Sequence, residues 1–409
     1  MSTLKVNTVL SADTPTVNIT DGLNVTGVST VANITATTVT STNIINATPL
    51  SNRNMIINGA MEVDQRNGGS AVTSSPGNTL NFAADRHHFY NYNSGELTAT
   101  LQRVADAPSG TGLYNSNKVT ITTPESSGGT PAADDRFSMQ HRIEGRNINR
   151  LALGTSGAKD FVISFYVKAS IAGDYGLALI NNSGSRSYCM LYPATTSWSR
   201  VVLKVPGDTS GTYQAGTSSG LELKFGLYNG SNRSGANQGI TGTGSWSSSN
   251  APQGTTGQTQ LGGTNGATWQ ITGLQMEIGS EATPFEHRQF GEELALCQRY
   301  YQRYREGNNV SFGLGFGYAS NELDIPISFI VPMRSSPSIE QSVSTSGYVA
   351  IEGSGIGGSQ YVNANFTLQF GSTHGCNLYA DPDPSLTSGS PYHLVLRNAS
   401  AYIAFTSEL

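Results

Sequence analysis

Apolar and polar side chains alternate at every second position through much of this chain, and that period restricts the fold more than any other feature. In FVISFYVKAS (161–170), Phe161, Ile163, Phe165 and Val167 fall on one face of a strand. Runs of the same kind are YGLALINNS (175–183), WSRVVLKVP (198–206), LELKFGLYN (221–229) and TWQITGLQMEIG (268–279). The gaps between them carry turn residues, so 51–286 is expected to form an antiparallel jelly-roll sandwich. Between Asn229 and Trp269 the sequence is too rich in Gly, Ser, Thr, Asn and Gln to hold core, and a long surface loop crossing one end of the sandwich is expected. The alternation returns in VSFGLGFGYA, NELDIPISFIVP, SGYVAIEG, YVNANFTLQF, PYHLVLRN and AYIAFTSEL, with DPDP (381–384) confined to a loop. Residues 308–409 are therefore expected to form a smaller C-terminal β-sandwich, and the fold class is all-β.

Only 12% of the residues are charged and 47 are glycine, which opposes long helices. One helix is expected in FGEELALCQRYYQRYREG, with Glu292 and Glu293 at its start, arginines at its end and Gly307 as its stop. It makes 287–307 a helical connector. Its stripe of Phe290, Leu294, Cys297, Tyr301 and Tyr304 is heptad-like, and either the chain's own sandwich or a threefold axis could receive it. Residues 1–50 carry three charges, Lys5, Asp13 and Asp21, amid Thr, Val, Asn and Ile. Such an arm has too little apolar surface to fold alone, so it reads as an oligomerisation and attachment stem with its core between chains. The competing reading is a disordered Thr/Ser linker.

The net charge of −5 gives no basic field for nucleic acid, and no run of about 18 apolar residues calls for membrane insertion. No leader is expected in MSTLKVNTVL. Cys189, Cys297 and Cys376 lie far apart, as suits buried thiols in a chain made in a reducing cytoplasm.

Sequence motifs for catalysis fail on context. Gly216-Thr-Ser-Ser-Gly220 has neither the strand before it nor the helix after it that a nucleophile elbow requires. Gly353-Ser-Gly-Ile-Gly-Gly358 opens no βαβ unit. His87 and His88 point to opposite faces of a strand and read as structural, while Asp134-Asp135 reads as surface loop. No enzyme is expected. Among the tryptophans, Trp198 and Trp269 open core strands, whereas Trp246 sits in the polar loop with no evident core to join. It is a candidate for ligand binding because an aromatic face suits the C–H face of a sugar. Tyr90, Tyr92, Tyr188 and Tyr192 are weaker candidates of the same kind.

Two stretches carry a resemblance. NRNMIINGAMEVDQR (52–66) resembles the opening of carbohydrate-binding-like jelly-roll domains of bacteriophage tail fibres, and LQMEIGSEATPFEHRQFGEELALCQRYYQ (274–302) is similar to their closing segment. The likeness covers roughly 52–306, and the opening MSTLKVNTV resembles virion proteins of marine and cyanobacterial phages. It implies a virion protein, trimeric as a rule, made in the host cytoplasm and displayed on the tail or particle surface, that binds a host surface glycan or protein. Other virion proteins would engage the stem. It also implies a structural calcium at positions matching Glu62 and Glu277, although Ala60-Met61 replaces the usual Gly-Phe and Gln275-Met276-Glu277 departs from the usual double Asp. The rival readings are a non-binding structural component, such as a capsid fibre, horn or tail adaptor, and a glycan depolymerase.

Overall fold

The computed structural model describes residues 52–77, 79–342, 349–352, 360–362, 365–380 and 386–409. The expected stem at 1–50 and the DPDP loop lie outside the described residues. The described ones belong to one compact unit, 47–409.

In chain order the first strands are β1 Val72–Ser74, β2 Thr79–Ala84, β3 His87–Tyr92, β4 Thr98–Val104, β5 Ser116–Thr123 and β6 Arg136–Glu144. After the short helix α1 (Gly145–Ile148) come β7 Phe161–Ala169, β8 Gly173–Asn181, β9 Arg186–Ala194, β10 Ser199–Val205 and β11 Ser219–Asn229. The two-residue β12 Ser234–Gly235 and β13 Gly254–Thr255 lie in the long loop, and β14 Thr268–Ile278 closes the sandwich. One six-stranded sheet runs β1-β4-β5-β14-β7-β10 and the other β2-β3-β6-β11-β8-β9. The all-β, jelly-roll-like class expected from the alternation is what the chain adopts. Aromatic rings lock the sheets together: Phe165 of the first meets Tyr192 and Phe225 of the second edge-on at 5.0 and 5.3 Å, and Trp269 meets Phe225 at 5.9 Å.

The segment before β1 makes no strand, yet Met55, Ile56, Met61 and Val63 are buried. Asn58, with φ 60°, turns the chain there: its side chain donates to the Val63 and Asp85 carbonyls and accepts from the Val63 N–H. The segment is zipped to the chain after β14. Glu286 accepts from the Arg53 and Asn54 N–H groups, and Glu293 accepts from Asn58 N–H at 2.6 Å.

The helix is shorter than expected. α2 spans Phe290–Gln298, and from Tyr301 the chain is strand, β15 Tyr301–Ala319. The reason is pairing: Tyr301, Gln302 and Arg303 lie opposite Thr406, Phe405 and Ala404 of the last strand, where aromatic side chains pack well. The heptad-like stripe is thereby broken. Phe290 is 58% exposed, while Cys297 packs with Ile57, Val63 and Tyr300, so the helix sits on its own sandwich's opening segment.

The remaining strands are β16 Glu322–Ser328, β17 Ser338–Gln341, β18 Val349–Glu352, β19 Gln360–Val362, β20 Thr367–Gln369, β21 Gly375–Ala380 and β22 Pro391–Thr406. With β15 they make one eight-stranded sheet, in which the two runs expected from PYHLVLRN and AYIAFTSEL are the single strand β22. Its core holds Phe312, Ile325, Leu378, Leu394, Ile403 and Phe405. No helix among the described residues is long and apolar enough to cross a membrane.

Charged groups fill the seam between this sheet and the sandwich. The fully buried Glu144 accepts from Arg299 Nε and Nη2 at 2.9 and 2.8 Å and from the Tyr300 hydroxyl at 2.8 Å, and it pairs with Arg146 at 2.8 Å. Arg334 donates to the Thr217, Ser407 and Glu408 carbonyls. Arg86 pairs with Glu408 and stacks 3.6 Å over Tyr300.

Candidate functional site

Strand β6 sets the site. Phe137, Met139, His141 and Ile143 alternate into the core, so Arg136, Ser138, Gln140 and Arg142 project from the opposite face of the second sheet. The register places Tyr90 of β3 beside Ser138, and Lys224 and Glu222 of β11 beside Gln140 and Arg142. Tyr90, Arg136, Gln140, Arg142, Glu222 and Lys224, with Asn182 and Gln253, line a groove of about 210 Å³.

The long loop explains why the groove lies there. The outward positions of β8 and β9 include apolar Ala178, Ile180 and Cys189, and the stretch from 230 to 260 lies across them rather than across an end of the sandwich. Gln238 N–H donates to the Cys189 carbonyl at 2.8 Å, Thr255 Oγ1 donates to the Met190 carbonyl at 3.0 Å, and Ser187 and Ser247 exchange main-chain bonds. Gly176 makes this approach possible, since a Cβ there would stand 2.6 Å from Thr255 N. The covered strands end at Gln253, whose side chain accepts from Gln140 Nε2 at 3.0 Å. Beyond it lies the groove on the outer face of β3, β6 and β11, with Gln140, Glu222 and Lys224 buried in its floor and Tyr90, Arg136, Arg142 and Asn182 accessible at its mouth.

Its electrostatics are uneven. Glu222 is the shared carboxylate, 3.6 Å from Arg142, 3.2 Å from Lys224, and accepting from Asn182 Nδ2 at 2.6 Å. Burial pushes the Lys224 ammonium below the usual lysine range, and neighbouring Glu222 pulls it back. Arg136 has no carboxylate within ion-pair distance among the described residues. Its guanidinium lies 5.1 Å from the Tyr90 ring centre and 4.6 Å from that of Tyr92, and it donates to the Tyr90 hydroxyl at 3.2 Å. Gln140 is fixed by Ser138, Gln253 and, at 3.2 Å, His88 Nε2. The arrangement offers amide, hydroxyl and guanidinium groups on a rigid sheet and no pairing of nucleophile with base.

Of the residues singled out from sequence, Tyr90 lines this groove and Tyr92 stands beside its Arg136, while Trp246, Tyr188 and Tyr192 do not line it. Tyr188 and Tyr192 are fully buried, because they alternate inward with Met190, and no ligand can reach them. Trp246 is half-buried: its indole N–H donates to the Pro206 carbonyl at 2.8 Å and its ring packs 5.6 Å from Tyr188, so it pins the loop to the sandwich. Trp246→Ala should leave the fold intact, lower stability by about 1–3 kcal/mol, and speed proteolytic cleavage within 236–250; limited proteolysis followed by mass spectrometry checks this. Trp269 is core as expected, but Trp198 is only partly buried and donates to Asp106 at 3.3 Å.

Glu62 and Glu277 do not fit a calcium ion. Both oxygens of buried Glu277 accept from Thr283, Gln275 donates to one of them, and Arg53 stands 3.6 Å away. Glu62 accepts from Asn115 at 2.9 Å. No group of three His, Cys, Asp or Glu side chains able to hold a metal ion occurs among the described residues.

No family model and no curated protein matches the chain. Among solved structures it is similar to the enzymatically active domain of bacteriophage CBA120 tailspike protein 4, at 10% identity and TM-score 0.29 over 55% of this chain and 21% of that one. The chain thus spans about a fifth of the tailspike domain's length. It is also similar to a family 11 carbohydrate-binding module from Clostridium thermocellum, at 12% identity and TM-score 0.27 over 52% of this chain and 98% of that one. A third is the CBM22-1 xylan-binding domain of Paenibacillus barcinonensis Xyn10C, at 10% identity and TM-score 0.25 over 53% of this chain and 99% of that one.

Proposed function

We propose that this chain is a virion attachment protein, a tail fibre or receptor-binding component whose groove on the second sheet holds a host-surface glycan without cleaving it. The observation that carries the reading is the groove itself: the Tyr90 ring, the Arg136 guanidinium and the exposed Asn182 amide around a floor set by the hydrogen-bonded amides of Gln140 and Gln253. Sugar hydroxyls require such paired donors and acceptors. The virion placement is supported by the resemblance of 52–66 and 274–302 to phage fibre jelly rolls and by an arm, 1–50, whose composition needs a partner chain. A trimer joined through that arm would multiply a single-site affinity in the millimolar to micromolar range by avidity.

The test is retention of the full-length protein on immobilised bacterial surface polysaccharides, alongside the variant Gln140→Ala. The expected result is retention by at least one polysaccharide, reduced roughly tenfold in the variant. A protein that is retained by none yet assembles into particles would replace this reading with that of a structural virion component. That second reading is favoured by one feature, the stripe of Leu314, Phe316 and Tyr318 on β15, which are 70%, 40% and 64% exposed and would suit packing on a neighbour.

A further inference from the structure

The groove is cationic on a chain that is acidic as a whole. Arg136, Lys224 and Arg142 face it against the single carboxylate of Glu222, while the chain carries a net charge of −5. The three cations are also ordered. Arg136 and Arg142 mark its two ends, six residues apart on β6, which at about 3.3 Å per residue is on the order of 20 Å. Lys224 stands between them, opposite Gln140.

From this geometry we infer that the glycan held in the groove is an acidic one, a saccharide carrying carboxylate groups, with Arg136 as the residue that seats a carboxylate. The inference rests on the glycan-binding reading above and narrows it. Glu222 lies within ion-pair distance of both Lys224 and Arg142, so those two cations are largely compensated. Arg136 is not. Its contact with Tyr90 and Tyr92 limits the motion of the guanidinium without neutralising it, since an aromatic face is no counter-charge. A planar guanidinium matches a carboxylate with two parallel hydrogen bonds, which selects it over a point-charge contact. The amides of Gln140, Gln253 and Asn182 beside it suit the hydroxyls of the same sugar chain rather than a nucleic-acid backbone, for which three cations and a net negative chain are poor provision.

The experiment uses the full-length protein and matched pairs of polymers. Polygalacturonate and alginate are each compared with their carboxyl-reduced forms by affinity electrophoresis and calorimetry, with dextran sulfate and inorganic phosphate as competitors. The expected result is binding of at least one polyuronate, weakened roughly tenfold or more by carboxyl reduction and by Arg136→Gln, partly restored in Arg136→Lys, and weakened by added salt. The comparison of native with reduced polymer needs no variant, so it holds even where Arg136→Gln fails to fold. Equal binding of native and reduced polymers, or binding of neutral polysaccharides alone, overturns the acidic assignment and leaves the glycan reading standing. Displacement by phosphate as effective as by uronate would make the groove a general anion site and also overturn it. Failure of every polysaccharide, acidic, reduced or neutral, takes the glycan reading down as well.

Discussion

Acidification from about pH 6.5 to about pH 4 should remove a large part of this protein's stability, because three histidines are held neutral inside it. His87 and His141 stand opposite each other on β3 and β6 with ring centres 4.8 Å apart, and His88 lies buried on the other face against Gln140. Burial is the main cause that drives all three below the usual histidine range, His87 to about 4, and the Arg86 charge adds to it. The folded chain therefore binds fewer protons than the unfolded one across this window. Its stabilising share is complete above about pH 6.5 and is lost as the pH falls through about 4. For His87 alone the interval corresponds to about 3 kcal/mol, against total stabilities of about 5–15 kcal/mol for folded domains.

Asp85 acts in the opposite sense. Burial raises its pKa to about 6, against the lowering effect of Arg66, so its stabilising share is present below the usual value of 3.8 and is lost as the pH rises through about 6. Burial raises Glu293 in the same sense, whereas Glu144, despite its burial, is held below the usual carboxylate range by Arg299 and Tyr300 and acts with the three histidines, so the net slope should be toward instability in acid. Urea midpoints measured from pH 7.5 to 4.5 should fall in the native sequence and fall less in His141→Leu, whatever the starting stability of that variant. A midpoint that stays level over this range would refute the argument.

The second large effect is expected at the seam. Glu144→Ala should cost about 3–5 kcal/mol, since it leaves Arg299 and the Tyr300 hydroxyl facing a site with no carboxylate. Glu144→Gln should fall between, because an amide oxygen still accepts from one of those donors. Both are read from urea unfolding, with cleavage between Arg299 and Tyr301 as a local probe. A Glu144→Ala protein within 1 kcal/mol of the native chain would show that the seam is held by its apolar contacts instead.

Much of the fold was legible because several strands spell their alternation in Val, Ile, Leu and Phe: β7, β10, β11 and β14 fall within one or two residues of where the period puts them. Those it hid have polar residues in core positions. HHFYNY and RFSMQHRIE place His87 and His141 inward, each opposite the other, a pairing that only the register of β3 against β6 creates. YCMLYPA was obscured by Pro193, which β9 tolerates as the outermost strand of its sheet. The helix ends earlier than its sequence suggests because Arg299 to Arg305 holds arginines and a glutamine that suit a helix but finds a partner strand a hundred residues later.

Apart from Tyr90, the groove was illegible for a related reason. Tyr90, Gln140, Lys224 and Gln253 come together only through a strand order in which β3, β6 and β11 are neighbours. One local signal was present: Arg136, Ser138, Gln140 and Arg142 at every second position mark a strand with a wholly polar outer face. The residues carrying the resemblance have a different task. Asn54, Asn58, Glu286 and Glu293 zip the two ends of the sandwich together, which makes those segments recognisable without making them a binding site.

The loop laid across β8 and β9 has a consequence for how such a protein can change over generations. Its hold on the sheet depends on a few points, among them Trp246 and Thr255, and on Gly176 beneath it, while 241–245 and 247–249 are Thr, Gly and Ser residues of which none is buried. Substitutions at the fixed points should be purged for their effect on folding. Those at the small polar positions cost little stability, so the loop's outer surface can drift by single steps while Gln253, its one residue in the groove lining, and the scaffold beneath stay the same.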